Sequence, residues 1–123
     1  MGTNRHAIPA SVVRMQLLTG AGAFTPPSGD ELNDFTQHLV VADLSVGTYS
    51  IPALGIDDQT PHSEDEIYLV TRGRARLVTP DDDVAVGPGD VVYVPAGEEH
   101  RFADVTDDLA LVVVFAPAYR SRA

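Results

Sequence analysis

The sequence predicts an all-β protein, a small antiparallel sandwich or barrel. Short runs of β-branched and apolar residues recur along the 123 residues, and Gly, Pro or Asp clusters separate them. No segment carries a 3.6-residue apolar stripe longer than a turn or two, as an amphipathic helix would require. The length is that of one domain, and 44% hydrophobic residues are enough to supply its core.

Three strand-like runs are predicted in the N-terminal half. Val12–Leu18 starts with β-branched residues, and Phe35–Leu44 and Val46–Ala53 follow as further strand-like runs. Between them, Ala21–Asp30 is rich in Gly, Pro and Ser and is predicted to be a loop. Gly55–Pro61 is predicted to be a second loop.

The C-terminal half contains five more strand-like runs, each bounded by turn residues. They are Glu66–Thr71, Arg74–Thr79, Val84–Val86, Val91–Val94 and Leu109–Phe115. Gly73 divides the first two, and Pro80–Asp83 is predicted to be a solvated turn. Gly-Pro-Gly-Asp is predicted to join the third and fourth runs as a hairpin, and Phe102 leads into a later turn. The last run is apolar on both faces, and the tail Tyr119–Ala123 is predicted to be loosely held.

Composition excludes several classes of function. The formal charge is −10, which disfavours nucleic acid and anionic membranes as partners, since both are bound through clustered cations. There is no cysteine and no lysine, which excludes thiolate chemistry and Schiff bases. No apolar run approaches the roughly 18 residues of a membrane helix, and no signal-peptide pattern is seen at the N-terminus, so we expect a cytoplasmic protein.

The segment Gly89–His100 carries the most specific pattern in the chain. A valine-rich strand ends at Pro95, the chain turns at Gly97, and His100 follows. This resembles the second signature of the cupin superfamily, G(X)5PXG(X)2H(X)3N, with Asp104 in place of the final Asn. The resemblance implies one cupin domain over residues 1–123, an antiparallel β-barrel of jelly-roll type. It also implies that His100 is a metal ligand at the mouth of the barrel.

The segment 59–73 resembles the first cupin signature, G(X)5HXH(X)3,4E(X)6G, in its second half. His62, Glu66 and Gly73 have the spacing of the pattern, whereas Thr60 stands where the first histidine of the pair is expected. The two motifs occupy about residues 59–73 and 89–104. The site is therefore expected to lack one of the family's usual ligands.

One divalent metal is predicted to be held by His62, Glu66 and His100. Two imidazoles and one carboxylate on neighbouring strands form a facial triad, a set that suits Fe(II) and also Mn, Ni or Zn. Iron is the favoured metal. Two alternatives follow from Thr60: one further coordination position is open, or Gln59 supplies a carbonyl oxygen as a weak fourth ligand.

Residues around this site have two readings, pocket lining or simple core filling. Tyr49, Tyr68, Tyr93 and Phe102 are the aromatic candidates, and Tyr68 faces the same side as Glu66 by the period of two in a strand. Glu66 and Tyr68 are the predicted catalytic residues, because proton transfer falls to a carboxylate, a tyrosine or bound hydroxide when lysine and cysteine are absent.

The resemblance favours a metalloenzyme acting on a small organic substrate, with Fe(II)-dependent dioxygenase chemistry first. The alternatives are a non-catalytic module that binds or senses a small molecule, and a metal-dependent lyase or isomerase. A metal-free sugar epimerase would need a histidine–tyrosine pair, for which His62 with Tyr68 or Tyr93 is the candidate. A homodimer is expected, since similar proteins often exchange an N-terminal strand, here Val12–Leu18.

Overall fold

The computed structural model describes residues 14–121, which form eight β-strands joined by turns and loops. The strands are β1 (Asp34–Val40), β2 (Ser45–Ile51), β3 (Asp65–Arg72), β4 (Ala75–Val78), β5 (Asp83–Val86), β6 (Val91–Val94), β7 (Arg101–Ala103) and β8 (Leu109–Ala116). The predicted all-β class is confirmed. Over the same residues, no helix is long and apolar enough to cross a membrane.

The strands form two antiparallel sheets. The larger has the order β1-β2-β8-β3-β6 and the smaller has the order β5-β4-β7. Apolar and aromatic side chains from both sheets form one core, and its largest members include Tyr49, Tyr68, Phe35, Phe102 and Phe115. Since all the paired strands are antiparallel and two sheets share one core, the jelly-roll arrangement is confirmed.

Strand β3 shows how the core and the site arise from one alternating pattern. Glu66, Tyr68 and Val70 are buried, whereas Ile67 and Leu69 between them are exposed. Successive side chains of a strand point to opposite faces, so the carboxylate, the phenol and an aliphatic residue all face the interior. The strand therefore carries polar groups into the barrel on the same face as its core contacts.

The outer face of the larger sheet is partly covered by the segment that precedes β1. The backbone N–H of Gly22 donates to Thr48 Oγ1 at 2.8 Å, and that of Thr25 donates to Ser50 Oγ at 3.1 Å. Thr71 Oγ1 donates to the Gly22 carbonyl at 2.6 Å. This cover explains why central strand β8 is apolar on both faces, because Val112 packs beneath Gly22.

Gly73 permits the change of sheet between β3 and β4. Its φ is +85°, a backbone conformation that residues with a side chain rarely adopt. A Cβ there would also lie 2.9 Å from Leu109 Cα and would collide with the Asp108 carbonyl. The family position is therefore glycine for both a conformational and a steric reason.

Several predicted elements differ from the structure. Val84–Val86 and Val91–Val94 do not form a hairpin: β5 pairs with β4, and β6 pairs with β3 in the other sheet. The short strand β7 was not predicted, and Asp83 belongs to β5 rather than to the preceding turn. The local sequence indicates where each strand lies. Which strands pair is decided by the packing of two sheets around one core.

The two chain ends also differ from expectation. Val12 and Val13 lie outside the described residues, and 14–18 contain no strand, with Met15 and Leu17 almost fully exposed. At the other end Tyr119 is not loosely held. Its ring stacks on Phe115 at 4.7 Å between centroids and packs against the core.

Candidate metal centre

The three predicted ligands come from two loops and one strand. His62 lies in the loop before β3, Glu66 is on β3, and His100 directly precedes β7. The N–H of Gly97 donates to the His62 carbonyl at 2.7 Å, and Gly97 has a φ of +80°. The glycine of the second motif thus ties its turn to the histidine of the first motif, which brings the two segments together.

The structure brings these three side chains into one cluster. A ligand atom from each of His62, Glu66 and His100 lies within 4.8 Å of the others. Glu66 and His100 are buried, and His62 is partly buried. His100 Nε2 and Glu66 Oε1 are 2.7 Å apart. The arrangement is that of a possible divalent metal site.

The protonation of His100 is fixed by its second nitrogen. Nδ1 lies 2.8 Å from the Glu98 carbonyl oxygen, which can only accept a hydrogen bond, so Nδ1 carries the proton. In the neutral ring Nε2 is then an acceptor. It faces Glu66 Oε1, another acceptor, so a cation is needed between them, either a proton on Nε2 or a metal ion.

Glu66 provides a second sign that a cation belongs here. Its Oε2 is buried and has no hydrogen-bond partner. A buried carboxylate oxygen without a partner is costly, and coordination would satisfy it. Divalent ions hold such ligands at about 2.1 Å, which places neighbouring ligand atoms about 3 Å apart. The His100–Glu66 distance is close to that value, so the residues present fit a divalent ion.

The two histidines differ in charge preference. Burial lowers the pKa of His62, which favours the neutral ring that a metal requires. Burial also acts to lower the pKa of His100, but its hydrogen bonds to Glu66 and to the Glu98 carbonyl outweigh that effect and raise the pKa. Protonation of His100 therefore competes with metal binding at the same nitrogen.

Tyr68 adds a phenol to the cluster. Its side chain is fully buried, and its OH lies 2.9 Å from His100 Nε2 and donates to Gln59 Oε1 at 3.0 Å. Burial, followed by the negative charge of Glu66, raises its pKa well above the usual value. The phenol is thus neutral near pH 7, with its proton directed into the site.

Gln59 is also drawn into the site, next to the position of the missing histidine. Gln59 Oε1 is 3.3 Å from His62 Nε2, and Gln59 Nε2 donates to Asp57 Oδ2 at 2.6 Å. The side chain of Thr60 is exposed and contributes no ligand to the cluster. Asp57 was missed in the sequence, because an aspartate in a polar loop gives no signal that it will be buried.

The aromatic candidates divide between core and surface. Tyr49 is buried in the core, and its OH donates to Asp57 Oδ1 at 2.6 Å. Phe102 packs edge-on against Tyr68. Tyr93 is 60% exposed on β6 and does not line the site. Of the histidine–tyrosine pairs considered for an epimerase, Tyr93 is excluded, and Tyr68 bonds to His100 rather than to His62.

The remaining polar residues of the two motifs have structural contacts. Glu64 is buried, accepts from Ser63 Oγ and from the Arg120 N–H, and is not one of the three clustered ligand residues. Asp65 faces outward and accepts from the Ala96 N–H at 2.8 Å. Asp104 has a φ of +50°, a conformation that Asn and Asp tolerate best, which explains why it can replace the family Asn.

Two cavities open beside the cluster, and Thr60 and Pro61 border both of them. The larger has a volume of about 370 Å³ and reaches His100 and Gln59. The second, of about 260 Å³, reaches His62. The larger lies at the small end of the range for sites that bind small organic molecules.

Comparison with known proteins supports the family. The cupin domain family matches residues 42–116. An uncharacterized protein of Streptomyces coelicolor is 42% identical over 83 residues, which cover 68% of this chain and 79% of that protein. The family match contains both motif segments, 59–73 and 89–104.

Solved structures share the fold at low sequence identity. A conserved Klebsiella pneumoniae protein with a double-stranded β-helix domain has a TM-score of 0.68 at 17% identity, over 86% of this chain and 91% of that chain. KdgF from a Halomonas species has a TM-score of 0.67 at 15% identity, over 78% of this chain and 89% of that chain. DMSP lyase DddQ from Ruegeria pomeroyi has a TM-score of 0.62 at 19% identity, over 68% of this chain.

These likenesses establish architecture, and the family match establishes membership. This chain spans only 46% of the length of DddQ. The match over residues 42–116 takes in β2 to β8, the cluster of potential ligands and the larger cavity. The chain belongs to the cupin family.

Proposed function

We propose that this cupin is a metal-dependent enzyme that acts on a small organic substrate. The observation that carries the proposal is the cluster itself. A buried carboxylate with one oxygen lacking a partner faces two imidazoles, and a fully buried phenol directs its OH toward the same point. A buried phenol that keeps its proton can act as a proton donor to a bound substrate, which favours an enzyme over a binding module.

The proposed ligands are His62, Glu66 and His100, with Glu98 as the group that orients His100. A divalent ion bound there would act as a Lewis acid that polarises a substrate oxygen. The cavity of about 370 Å³ beside His100 is large enough for a small organic molecule.

Proton transfer is the chemistry that this chain's own residues support best. Tyr68 keeps its proton near pH 7 and holds it at the phenol oxygen, 2.9 Å from His100 Nε2. It would donate that proton, or a hydrogen bond, to an oxygen on which negative charge develops. This role favours a lyase or an isomerase. The fold is shared with the DMSP lyase DddQ, although that likeness concerns architecture alone.

An Fe(II)-dependent dioxygenase is the second candidate. It is supported by the two histidines and one carboxylate, a ligand set that leaves neighbouring positions for substrate and O2. Catalysis by that route would consume O2, whereas proton-transfer chemistry would not.

The two candidates are separated by one comparison. The protein is loaded with Fe(II) or Mn(II) and assayed with a panel of small hydroxy acids, diketones and catechols, with and without O2. Turnover that is unchanged without O2 and lost in Tyr68→Phe supports the lyase or isomerase. O2 uptake matched to product supports the dioxygenase. Ligand binding in the micromolar range with no turnover under either condition overturns the enzyme proposal in favour of a binding module.

A further inference from the structure

The amide of Gln59 lies against the same cluster as the proposed ligands. Its Oε1 is 3.3 Å from His62 Nε2 and 3.0 Å from Tyr68 OH. Neighbouring ligand atoms around a divalent ion lie about 3 Å apart, given bonds of about 2.1 Å. The amide oxygen therefore has the separation from His62 that two ligands of one ion would have.

The orientation of this amide is determined by Asp57. Gln59 Nε2 donates to Asp57 Oδ2 at 2.6 Å, and the Gln59 backbone N–H donates to Asp57 Oδ1 at 3.2 Å. A carboxylate only accepts hydrogen bonds, so the NH2 group must face Asp57. The carbonyl oxygen, which is the half of the amide able to coordinate a cation, must then face His62.

Asp57 is itself held rigidly by the core. It is buried, and it accepts from Tyr49 OH at 2.6 Å and from the Phe102 N–H at 2.8 Å. These donors come from β2 and β7, which belong to different sheets. The loop that carries Gln59 is thus anchored to both sheets through one buried carboxylate.

We propose that Gln59 supplies its amide oxygen as a fourth protein ligand, and that Asp57 is the positioning residue that turns this oxygen toward the metal. The chain would thereby replace the histidine absent at Thr60 with an oxygen donor from the preceding residue. Amide oxygens suit hard divalent ions such as Mn²⁺. This inference rests on the proposed metal site and goes beyond it by naming a ligand and its support.

The test is the affinity for Mn²⁺, measured by chelator competition on the full chain without any substrate. Gln59→Ala and Asp57→Asn are each expected to weaken binding by about 10- to 100-fold, the range found when ligand-orienting groups are removed. Because Asp57 acts through Gln59, the double variant should bind no more weakly than Gln59→Ala. Thr60→Ala, in the same loop, is the matched control and should change affinity by less than about twofold.

Loss of folding is separated from loss of coordination by thermal unfolding of each variant in chelator. Tyr49→Phe removes one of the hydrogen bonds that hold Asp57 but leaves the Asp57–Gln59 contacts in place, so it should weaken Mn²⁺ binding by less than Asp57→Asn does. If Asp57→Asn does not fold, Asp57→Glu replaces it, since it keeps the carboxylate but displaces it, with the same expected loss.

Three results would contradict the proposal in different ways. If Gln59→Ala binds Mn²⁺ as tightly as Thr60→Ala while His100→Ala loses it, the metal site stands and Gln59 is not a ligand. Fully additive losses for Asp57→Asn and Gln59→Ala would show that Asp57 does not act through the amide. If His100→Ala also retains full affinity, it is the proposed metal function that fails.

Discussion

Replacement of Glu66 by glutamine should stabilise the protein without metal and destabilise it relative to wild type when metal is bound. In chelator, at a pH above the pKa of His100, the wild-type protein holds two acceptors 2.7 Å apart, Glu66 Oε1 and His100 Nε2. It also buries Glu66 Oε2 without a partner. Glutamine removes the charge and offers an N–H to His100 Nε2, which relieves the conflict between the two acceptors, while its amide oxygen takes the place of Oε2 and keeps no partner.

The magnitude follows from these atoms. Each unsatisfied buried acceptor costs about 1–3 kcal/mol, so Glu66→Gln should raise the free energy of unfolding in chelator by about that amount. With metal at about 100 times its dissociation constant, the wild-type protein gains about 2.7 kcal/mol. The variant has lost a charged ligand and should gain much less, so the order of stability is inverted.

The assay is urea unfolding of both proteins, with chelator and with Mn²⁺, followed by circular dichroism. A matched control is Glu64→Gln, which changes a buried carboxylate whose two oxygens accept hydrogen bonds from Ser63 and from the Arg120 N–H. Glu64→Gln should be destabilising in both conditions. If Glu66→Gln is likewise less stable than wild type in chelator, Glu66 is a structural carboxylate and the reasoning is refuted.

Other expectations concern His100, Tyr68 and the chain's assembly. The pKa of His100 is raised on folding, so the stability gained from its protonation is present below about pH 6.5 and is lost as pH rises through the folded pKa. The free energy of unfolding of wild type and of His100→Gln, measured in chelator across this pH range, will show the loss. A difference in stability between the two proteins that does not change with pH would contradict it. Tyr68→Phe should lower turnover by about 10²- to 10⁴-fold with Mn²⁺ content unchanged, measured by kinetics and metal analysis; equal activity would exclude the phenol as the proton donor. We predict a homodimer, so light scattering should give a mass of about twice 13.1 kDa. If strand exchange builds the dimer, removal of residues 1–18, which include the exposed Met15 and Leu17, should yield a monomer.

How far the sequence predicts this molecule depends on whether the feature is local. Alternation along β3 predicts that Glu66 and Tyr68 share the inward face, and the structure agrees. That prediction needs only strand periodicity. The proximity of His100 to His62 is a long-range feature, and it is expected because both segments resemble the cupin signatures.

The rest depends on long-range contacts. The Gly-Pro-Gly-Asp segment has the sequence typical of a hairpin turn, and Asp90 stabilises the turn by accepting from the Gly87 N–H. The two strands that it joins nevertheless belong to different sheets. Likewise, Asp57 becomes buried only because Tyr49 and Phe102 reach it from strands distant in sequence. No local pattern reports such convergence.

We propose that His62, Glu66 and His100 hold one divalent metal. The most direct measurement is the metal content of the wild-type protein and of His62→Ala, Glu66→Gln and His100→Ala, after loading with Mn²⁺ and dialysis, by plasma mass spectrometry. We predict about one ion per chain in the wild type and a small fraction of that in each folded variant. Equal metal content in all four proteins, or none in the wild type, would contradict the claim.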